Sequence, residues 1–465
     1  MSAEVSGARR AAFEVLRRTF EHDAWADRAL ISAVERHRLD PRQRAQAQRL
    51  AYGAVKRRGS ADHIVAELAR RPAEDLDPPV VAALRLGVYE LVWAAGTPDY
   101  AAVDQAVELA KGGLAASGAA RGRARAASGL VNAVLRRAAT DAGGILAAID
   151  DRAPEGAAAV HSYPRWLADL WWAERGADRA LSLMRAMNEP AETALRVNTL
   201  RADPARVAEE LRETGAEIDG PFAGEDPLHP REALVARGPL GDGIAPRISL
   251  GELVPQSRGS QAVVALLDPQ PGERVLDLCA GPGIKTTAIA ARIEDRGEIV
   301  AVELDPGRAA QVADRCGLTG ASSVRVEIAD AAVADLGSEY DRVLVDPPCS
   351  DLGTLASRPD ARWRKSPEAI SRLAGLQARI LARAASALRP GGALVYSTCT
   401  LSRSENEDVV AAALAAGEGP ALAADDLGGA HPSLASAVDG RFLELRPDRD
   451  RTSGFFIARL RRTGR

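Results

Sequence analysis

Arg274-Val275-Leu276-Asp277-Leu278-Cys279-Ala280-Gly281-Pro282-Gly283-Ile284-Lys285-Thr286 is the stretch whose reading decides the fold. Its apolar head reads as a buried strand, its small residues as a tight turn, and the chain from about Thr286 as a helix. The pattern then recurs, with strands predicted at 299–304, 324–328, 343–345 and 393–397 and helical stretches between most of them. Such alternation predicts a parallel sheet with helices on both faces. Its ligand belongs in the crevice beyond the carboxyl ends of the strands. Two last strands, 441–445 and 454–460, are joined by Arg446-Pro447-Asp448-Arg449-Asp450, which predicts a closing hairpin.

Towards the amino terminus the pattern changes. Residues 6–138 read as successive helices: Ala11, Val15, Leu16 and Phe20 share one face, and Val80, Leu84, Val88, Leu91 and Val92 form another helical stripe. The Gly-, Ala- and Arg-rich stretch 112–127 reads as a loop before a helix at 129–137. It is either a solvated linker or an arginine-bearing segment that meets phosphate. A break is expected near 141–159, followed by helices over 166–187, a strand at 194–198, and a helix over 203–214 with Asp203 as N-cap ahead of Pro204. A multidomain chain follows from these shifts. We expect an all-α domain over 1–140, a small α+β domain over 150–250 and an α/β domain over 251–465.

The formal net charge of −4 does not advertise a nucleic-acid binder, so any basic surface must be local. Cationic residues are nearly all arginine; the lysines are Lys56, Lys111, Lys285 and Lys365. Four cysteines without Cys-x-x-Cys spacing and histidines without ligand pairing argue against structural zinc or a disulfide framework, and no metal is expected. The sequence shows no charged-then-apolar leader and no apolar run near the ~18 residues of a membrane span. A soluble cytoplasmic protein with reduced thiols is expected.

The turn Ala280-Gly281-Pro282-Gly283 lets backbone approach a ligand, and acids follow at later strand ends: Glu303 and Asp305, then Asp330. A carboxylate one strand after a glycine turn is placed to accept ribose hydroxyls. Lys285 follows Ile284 rather than glycine, so no triphosphate loop is present, and the third glycine of a dinucleotide fingerprint is absent. S-adenosylmethionine fits better. Asp346-Pro347-Pro348-Cys349-Ser350 has several readings: Asp-Pro-Pro before an aromatic residue would suit amino-group methylation, but Cys349 stands in that place, and a buried packing cysteine is the plain alternative. A second cysteine, Cys399 in Tyr396-Ser397-Thr398-Cys399-Thr400, also closes a predicted strand. Two cysteines flanking one cleft favour covalent chemistry on a nucleobase. Cys279 reads as a small turn residue and Cys316 as helix packing.

The stretches 275–286, 346–350 and 396–400, with Ser404-Glu405-Asn406-Glu407 beyond, resemble the RsmB/Sun branch of the Nop2/Sun family of RNA cytosine-5 methyltransferases. Ala51-Tyr52-Gly53-Ala54-Val55-Lys56-Arg57, Leu86-Gly87-Val88-Tyr89-Glu90-Leu91, 102–111 and 131–136 resemble the NusB RNA-binding domain. The resemblance implies a Rossmann-like class I methyltransferase domain behind a NusB-like helical domain. It implies Cys399 as nucleophile, Cys349 in product release, Asp346 at the cytosine N3 and amine, and Lys285 beside cofactor and base. It places S-adenosylmethionine against Cys279, Ala280, Gly281, Pro282, Gly283, Ile284, Lys285, Glu303, Asp330 and Asp346, with Asp277 fixing the turn. The implied partner is 16S ribosomal RNA, naked or in a partly assembled subunit, bound by a monomer; transfer RNA, or a non-catalytic RNA-binding assembly role, are the alternatives. The sequence departs from the family pattern at Gly281 and Ile284, which replace Ala and Gly, and at Asp351, which replaces Gly. Arg358 to Lys365 is expected either to hold RNA backbone or to be the exposed, charged start of a helix.

Overall fold

The structure is a computed structural model that describes residues 5–224, 226–238, 243–416 and 419–464. The chain forms two compact units, one running up to Glu189 and including Leu355–Arg364, the other comprising Pro190–Thr354 and Lys365–Arg465.

The first unit is helical: Gly7–Glu21, Ala26–Arg36, Pro41–Lys56, Arg58–Ala69, Pro78–Val92, Asp99–Ala116 and Arg121–Ala147, then Pro154–His161, Arg165–Arg175 and Ala177–Ala186. Local chemistry sets the ends. At Pro41–Lys56 the Asp40 carboxylate accepts the Gln43 amide while the Gln43 side chain accepts the Asp40 amide. This reciprocal cap satisfies two donors that a helix start leaves unpaired. The expected apolar faces are inside, with Ala11, Val15, Leu16, Leu84 and Val88 fully buried.

The loop expected at 112–127 is not there. One helix runs to Ala116 and the next starts at Arg121, leaving only 117–120 between them. Alanine and arginine are among the best helix formers, so a segment rich in both outlasts its isolated glycines. Arg123 lies in that helix and donates to Asp77 at 3.0 Å. The expected break near 141–159 shrinks in the same way, because the helix continues to Ala147 and the next begins at Pro154.

The second unit holds two sheets. Thr193–Val197 (β1), Glu217–Asp219 (β2), Ala233–Arg237 (β3) and Leu253–Pro255 (β4) form a small antiparallel sheet in the order β2-β3-β1-β4. The helix Pro204–Glu213 lies between β1 and β2 in sequence, and Asp203 caps it as expected, accepting the Arg206 amide at 2.9 Å.

The larger sheet contains Arg274–Asp277 (β5), Glu298–Glu303 (β6), Val324–Ile328 (β7), Tyr340–Val345 (β8), Leu388–Thr398 (β9), Leu422–Ala424 (β10), Leu443–Leu445 (β11) and Phe455–Arg462 (β12). Its order is β10-β12-β9-β8-β5-β6-β7, with β11 paired to β12. β9, β8, β5, β6 and β7 run parallel, while β12 is antiparallel to β9, β10 and β11. Central strands covered on both faces need side chains that are apolar on both, and Val275, Leu276, Val343 and Leu344 are fully buried. The predicted hairpin forms from β11 and β12, with a single helical turn, Pro447–Asp450, between them. β10 was not predicted; three residues of Leu-Ala-Ala carry too little pattern.

Strand order reverses beside β5, which has β6 on one side and β8 on the other. A crevice opens at such a switch point, beyond the carboxyl ends of the strands. Among the described residues, no helix is long and apolar enough to cross a membrane.

Candidate active site

The glycine turn connects β5 to the helix Ile284–Arg292. Gly281 and Gly283 adopt φ of 55° and 82°, in the left-handed region that disfavours side chains. A Cβ on Gly283 would meet Val312 at 3.2 Å, whereas one on Gly281 would meet nothing within 4 Å. Gly283 thus serves packing, and Gly281 borders open space. Ile284 already begins the helix, so its branched side chain is compatible with the turn. Asp277 accepts from Thr286 Oγ1 at 2.7 Å across the turn, and burial lifts its pKa to about 6.

Glu303, at the end of β6, is nearly buried. Its Oε2 accepts the Gly281 amide at 3.0 Å, and its Oε1 accepts the Asp305 amide at 2.9 Å and faces Arg308 Nη2 at 2.9 Å. A carboxylate has about four accepting positions, so Oε2 keeps capacity for a hydroxyl beside the turn. Asp330, beyond β7, is exposed and caps its own loop through the Ala332 amide at 2.9 Å. Glu303 and the glycine turn thus place an accepting carboxylate beside open backbone at the ends of β5 and β6. Cys279 lies in the turn, and burial pushes its thiol pKa well up, which keeps it protonated. Cys316 packs in the core around β5 and β6.

Asp346 follows β8 directly. It pairs with Lys285 and accepts from Ser397 Oγ at 3.3 Å. Burial opposes the Lys285 charge, but the facing carboxylate outweighs it, and the net shift of the ammonium pKa is upward. Lys285 also lies 5.6 Å from the Phe455 ring centroid.

The two motif cysteines follow adjacent parallel strands, β8 and β9, and their sulfurs are 3.3 Å apart. Cys349 is buried and Cys399 half-buried. The Cys399 pKa is pushed well above its usual value, first by its contact with Cys349, then by burial and by the charges of Asp351 and Asp346. Cys399 Sγ donates to Asp351 Oδ1 at 3.2 Å. Cys349, Asp351 and Cys399 keep their sulfur and oxygen atoms within 4.8 Å of one another.

Behind the cysteines is a buried polar clamp. Glu405, fully buried, accepts the Ser350 amide at 2.9 Å and Gln377 Nε2 at 3.0 Å, and its backbone carbonyl accepts Tyr396 OH at 2.6 Å. Ser350 Oγ meets Thr400 Oγ1 at 2.7 Å, and Gln377 donates to Pro348 O at 2.9 Å. Each motif loop is therefore held by the other and by Glu405. Gly353 adds a backbone contact, donating to Cys399 O at 2.9 Å where a Cβ would meet Gly454 O at 2.3 Å.

Three comparisons match this arrangement. Residues 264–461 match the family described as 16S rRNA methyltransferase RsmB/F, residues 6–140 match the NusB family, and residues 163–225 match the ferredoxin-like domain of RsmF/B-like methyltransferases. A relative from Bacillus subtilis (strain 168), "Probable ribosomal RNA small subunit methyltransferase B", is 31% identical over 459 residues, spanning 97% of this chain and 98% of its own. The chain belongs to the RsmB/F methyltransferase family. "Ribosomal RNA small subunit methyltransferase B" of Thermus thermophilus is 35% identical over 439 residues, 93% of this chain and 92% of its own. The solved structure described as "Crystal Structure of PH0851" superposes with a TM-score of 0.80 at 25% identity, over 99% of this chain and 100% of that one.

Within this RsmB/F chain, Gln377, Lys365 and the clamp role of Glu405 were not read from the sequence. Gln377 carries a signal in hindsight, since it interrupts the buried stripe Ile370, Ile380, Leu381 and Ala384 of the helix Pro367–Ala387. The expectation for Arg358 to Lys365 is corrected. Arg362 is fully buried, donating to Ser162 O at 3.1 Å and Asn188 Oδ1 at 2.9 Å. Asp360 accepts the Ala26 amide at 3.1 Å, and Trp363 donates to Val55 O at 2.8 Å. Lys365 instead turns to the cysteine loops, with its ammonium 3.3 Å from Asp351 Oδ2 and 3.2 Å from Cys349 O. A charge run cannot show whether its members face solvent; here most face partners in the fold.

Proposed function

We propose that this chain methylates carbon 5 of a cytosine in 16S ribosomal RNA, using S-adenosylmethionine and a transient bond between Cys399 and the base. The observation that carries the reading is the pair of sulfurs 3.3 Å apart at the ends of β8 and β9, beside the Asp346–Lys285 pair. Residues of the glycine turn, Cys279 to Lys285, with Glu303, Asp330 and Asp346, would hold the cofactor. When bound, S-adenosylmethionine supplies an electrophilic methyl group.

Carbon 5 of cytosine is a poor nucleophile until carbon 6 carries an added group. The Cys399 sulfur forms a bond to carbon 6, the C5=C6 electron pair moves to C4–C5, and the C4=N3 pair moves onto N3. Asp346 accepts from the exocyclic amine, and the proton it shares with Lys285 meets the negative charge that develops at N3, where fixed partners cost no reorganisation. The C4–C5 pair takes the methyl group as the C4=N3 bond re-forms; Cys349, acting as thiolate, then takes the carbon 5 proton, the C5–H pair re-forms C5=C6, and the sulfur of Cys399 leaves with the C6–S pair. The target base must be out of its stack, which favours an unpaired nucleotide. The helical first unit supplies RNA affinity. An amino-group methyltransferase would use Asp346 and Pro347 but has no role for Cys399.

The test incubates each cysteine variant with a small-subunit ribosomal RNA transcript and S-adenosylmethionine, followed by a denaturing gel and mapping of 5-methylcytosine. Cys399→Ser is expected to lose turnover and form no adduct, since a hydroxyl is far less nucleophilic than a thiol. Cys349→Ala is expected to accumulate a protein–RNA adduct. Adduct with Cys399→Ser but not with Cys349→Ala would exchange the two roles, and full activity of both without adduct would end the covalent reading.

A further inference from the structure

We infer that Asp351 is the proton acceptor for the Cys399 thiol, an inference that rests on Cys399 being the nucleophile. The carboxylate is in place for it: Oδ1 is 3.2 Å from Cys399 Sγ, and the sulfur donates to it. Backbone geometry shows the placement is built. Asp351 holds φ at 60°, a region that glycine, asparagine and aspartate enter far more readily than other residues. The Thr354 amide and hydroxyl, both 2.9 Å from the Asp351 carbonyl, fasten the turn. Lys365 fixes the other carboxylate oxygen at 3.3 Å while donating to Cys349 O at 3.2 Å. One lysine thereby links the acceptor to the loop of the second cysteine.

The thiol needs such an acceptor. With Cys349, burial and two carboxylates all raising its pKa, Cys399 is protonated at neutral pH. The titratable groups facing it are Cys349, Asp351 and Asp346, with Lys285 beyond Asp346 and Lys365 beyond Asp351. Asp346 is engaged by Lys285 and Ser397 and is aimed at the base in the proposed reaction. Asp351 is the carboxylate in hydrogen-bond contact with the sulfur. As the S–C6 bond forms, the S–H bond breaks and its proton passes to Asp351. When the C6–S bond breaks at the end of the cycle, Asp351 returns that proton to the departing sulfur. The carboxylate is thus regenerated in each turnover, and the one proton released overall, that of carbon 5, leaves through Cys349 to solvent.

The experiment measures single-turnover methyl transfer to a small-subunit ribosomal RNA transcript across neutral to alkaline pH, with the full chain carrying Asp351→Asn, Asp351→Gly or Cys399→Ala. Asparagine and glycine both accept the observed φ, so the loop is retained. Both Asp351 variants are expected to be slower by roughly 10²–10⁴-fold near neutral pH, the usual contribution of a positioned base. Their apparent affinity for S-adenosylmethionine should stay unchanged, and the deficit should narrow as pH rises and the thiol ionises unaided. Alkylation of Cys399 by iodoacetamide should be no slower in Asp351→Asn, because removing a nearby negative charge favours the thiolate. Loss of activity in Cys399→Ala with Asp351→Asn as fast as the parent would overturn this inference alone. So would a deficit that is the same at every pH, which marks a merely structural role. Activity in Cys399→Ala would overturn the nucleophile assignment and this inference with it.

Discussion

Two clusters of buried cations, one in each unit, are held in different ways. In the second, Lys285 faces Asp346 and Lys365 faces Asp351. In the first, Lys56 donates to the Glu189 carbonyl at 2.9 Å, Arg362 to carbonyls and the Asn188 side-chain amide, and Arg57 lies 5.0 Å from the Trp93 ring. Carboxylate partners keep a charge in place with accepting capacity to spare, which binding and proton movement need. Carbonyls and rings consume the donors and lend the charge nothing it can exchange. The pKa directions agree: Lys285 is raised, whereas burial first, then Arg362 and Arg57, bring Lys56 down to about 7.

The largest test of this contrast falls on Arg362. It is fully buried, stacked 4.1 Å from the Tyr163 ring centroid and hydrogen-bonded to backbone carbonyls and the Asn188 side chain. Arg362→Ala should destabilise the first unit by about 2–4 kcal/mol, through a cavity and carbonyls left unpaired. Urea unfolding followed by a probe in the helical unit checks it. The salt dependence of RNA binding under folding conditions should not change. A shallower salt slope with normal stability would return Arg362 to the RNA-holding role its neighbourhood in sequence suggested.

Glu303 is the corresponding probe in the second unit. Its Oε2 already holds the Gly281 amide, and a ribose hydroxyl would complete its partners. Glu303→Ala should weaken S-adenosylmethionine binding by about 1–3 kcal/mol in a calorimetric titration, the range for a lost hydrogen bond to a charged group. Unchanged affinity would move the ribose contact to another residue.

The same contrast explains what could be read in advance. β5, β6, β8 and β9 were legible because each contains an apolar run bounded by turn residues, β7 because Val324, Val326 and Ile328 alternate with Arg325 and Glu327, and Asp346, Cys349 and Cys399 because each lies just past the end of an apolar run. The helical residues on either side of 117–120 were misread as loop because alanine, glycine and arginine carry no apolar periodicity there, so propensity had to be weighed without a pattern. The partners of Arg362 are Ser162 and Asn188, far away in sequence, and nothing local marks that burial. Glu405 was quoted within a family motif, yet its work depends on Ser350 and Gln377, brought together only by the sheet and the helix Pro367–Ala387. Asp351 was visible as a departure from a glycine pattern, but its closeness to Cys399 is a property of the folded loop.

The smallest effect isolates Lys56, among the described residues the lysine without a carboxylate in contact. It is buried, its contact is a backbone carbonyl, Arg362 and Arg57 oppose its charge, and Glu189 favours it only weakly. Its folded pKa of about 7 lies below the ordinary lysine value of 10.5, so between these two values the unfolded chain binds the extra proton. Stability therefore rises with pH across that window, and the penalty for charging the buried amine is complete below it. A single group titrating near 7 contributes about 1 kcal/mol of added stability between pH 7 and pH 8. Lys56→Met keeps the stem and removes the titration, so its unfolding free energy should lose that rise while paying a small, pH-independent cost for the unpaired Glu189 carbonyl. Parallel urea titrations of parent and variant at the two pH values measure the difference directly. Equal slopes would mean that Lys56 keeps its charge in the folded state, and the distinction drawn between carbonyl-bound and carboxylate-bound cations would then fail at its most exposed point.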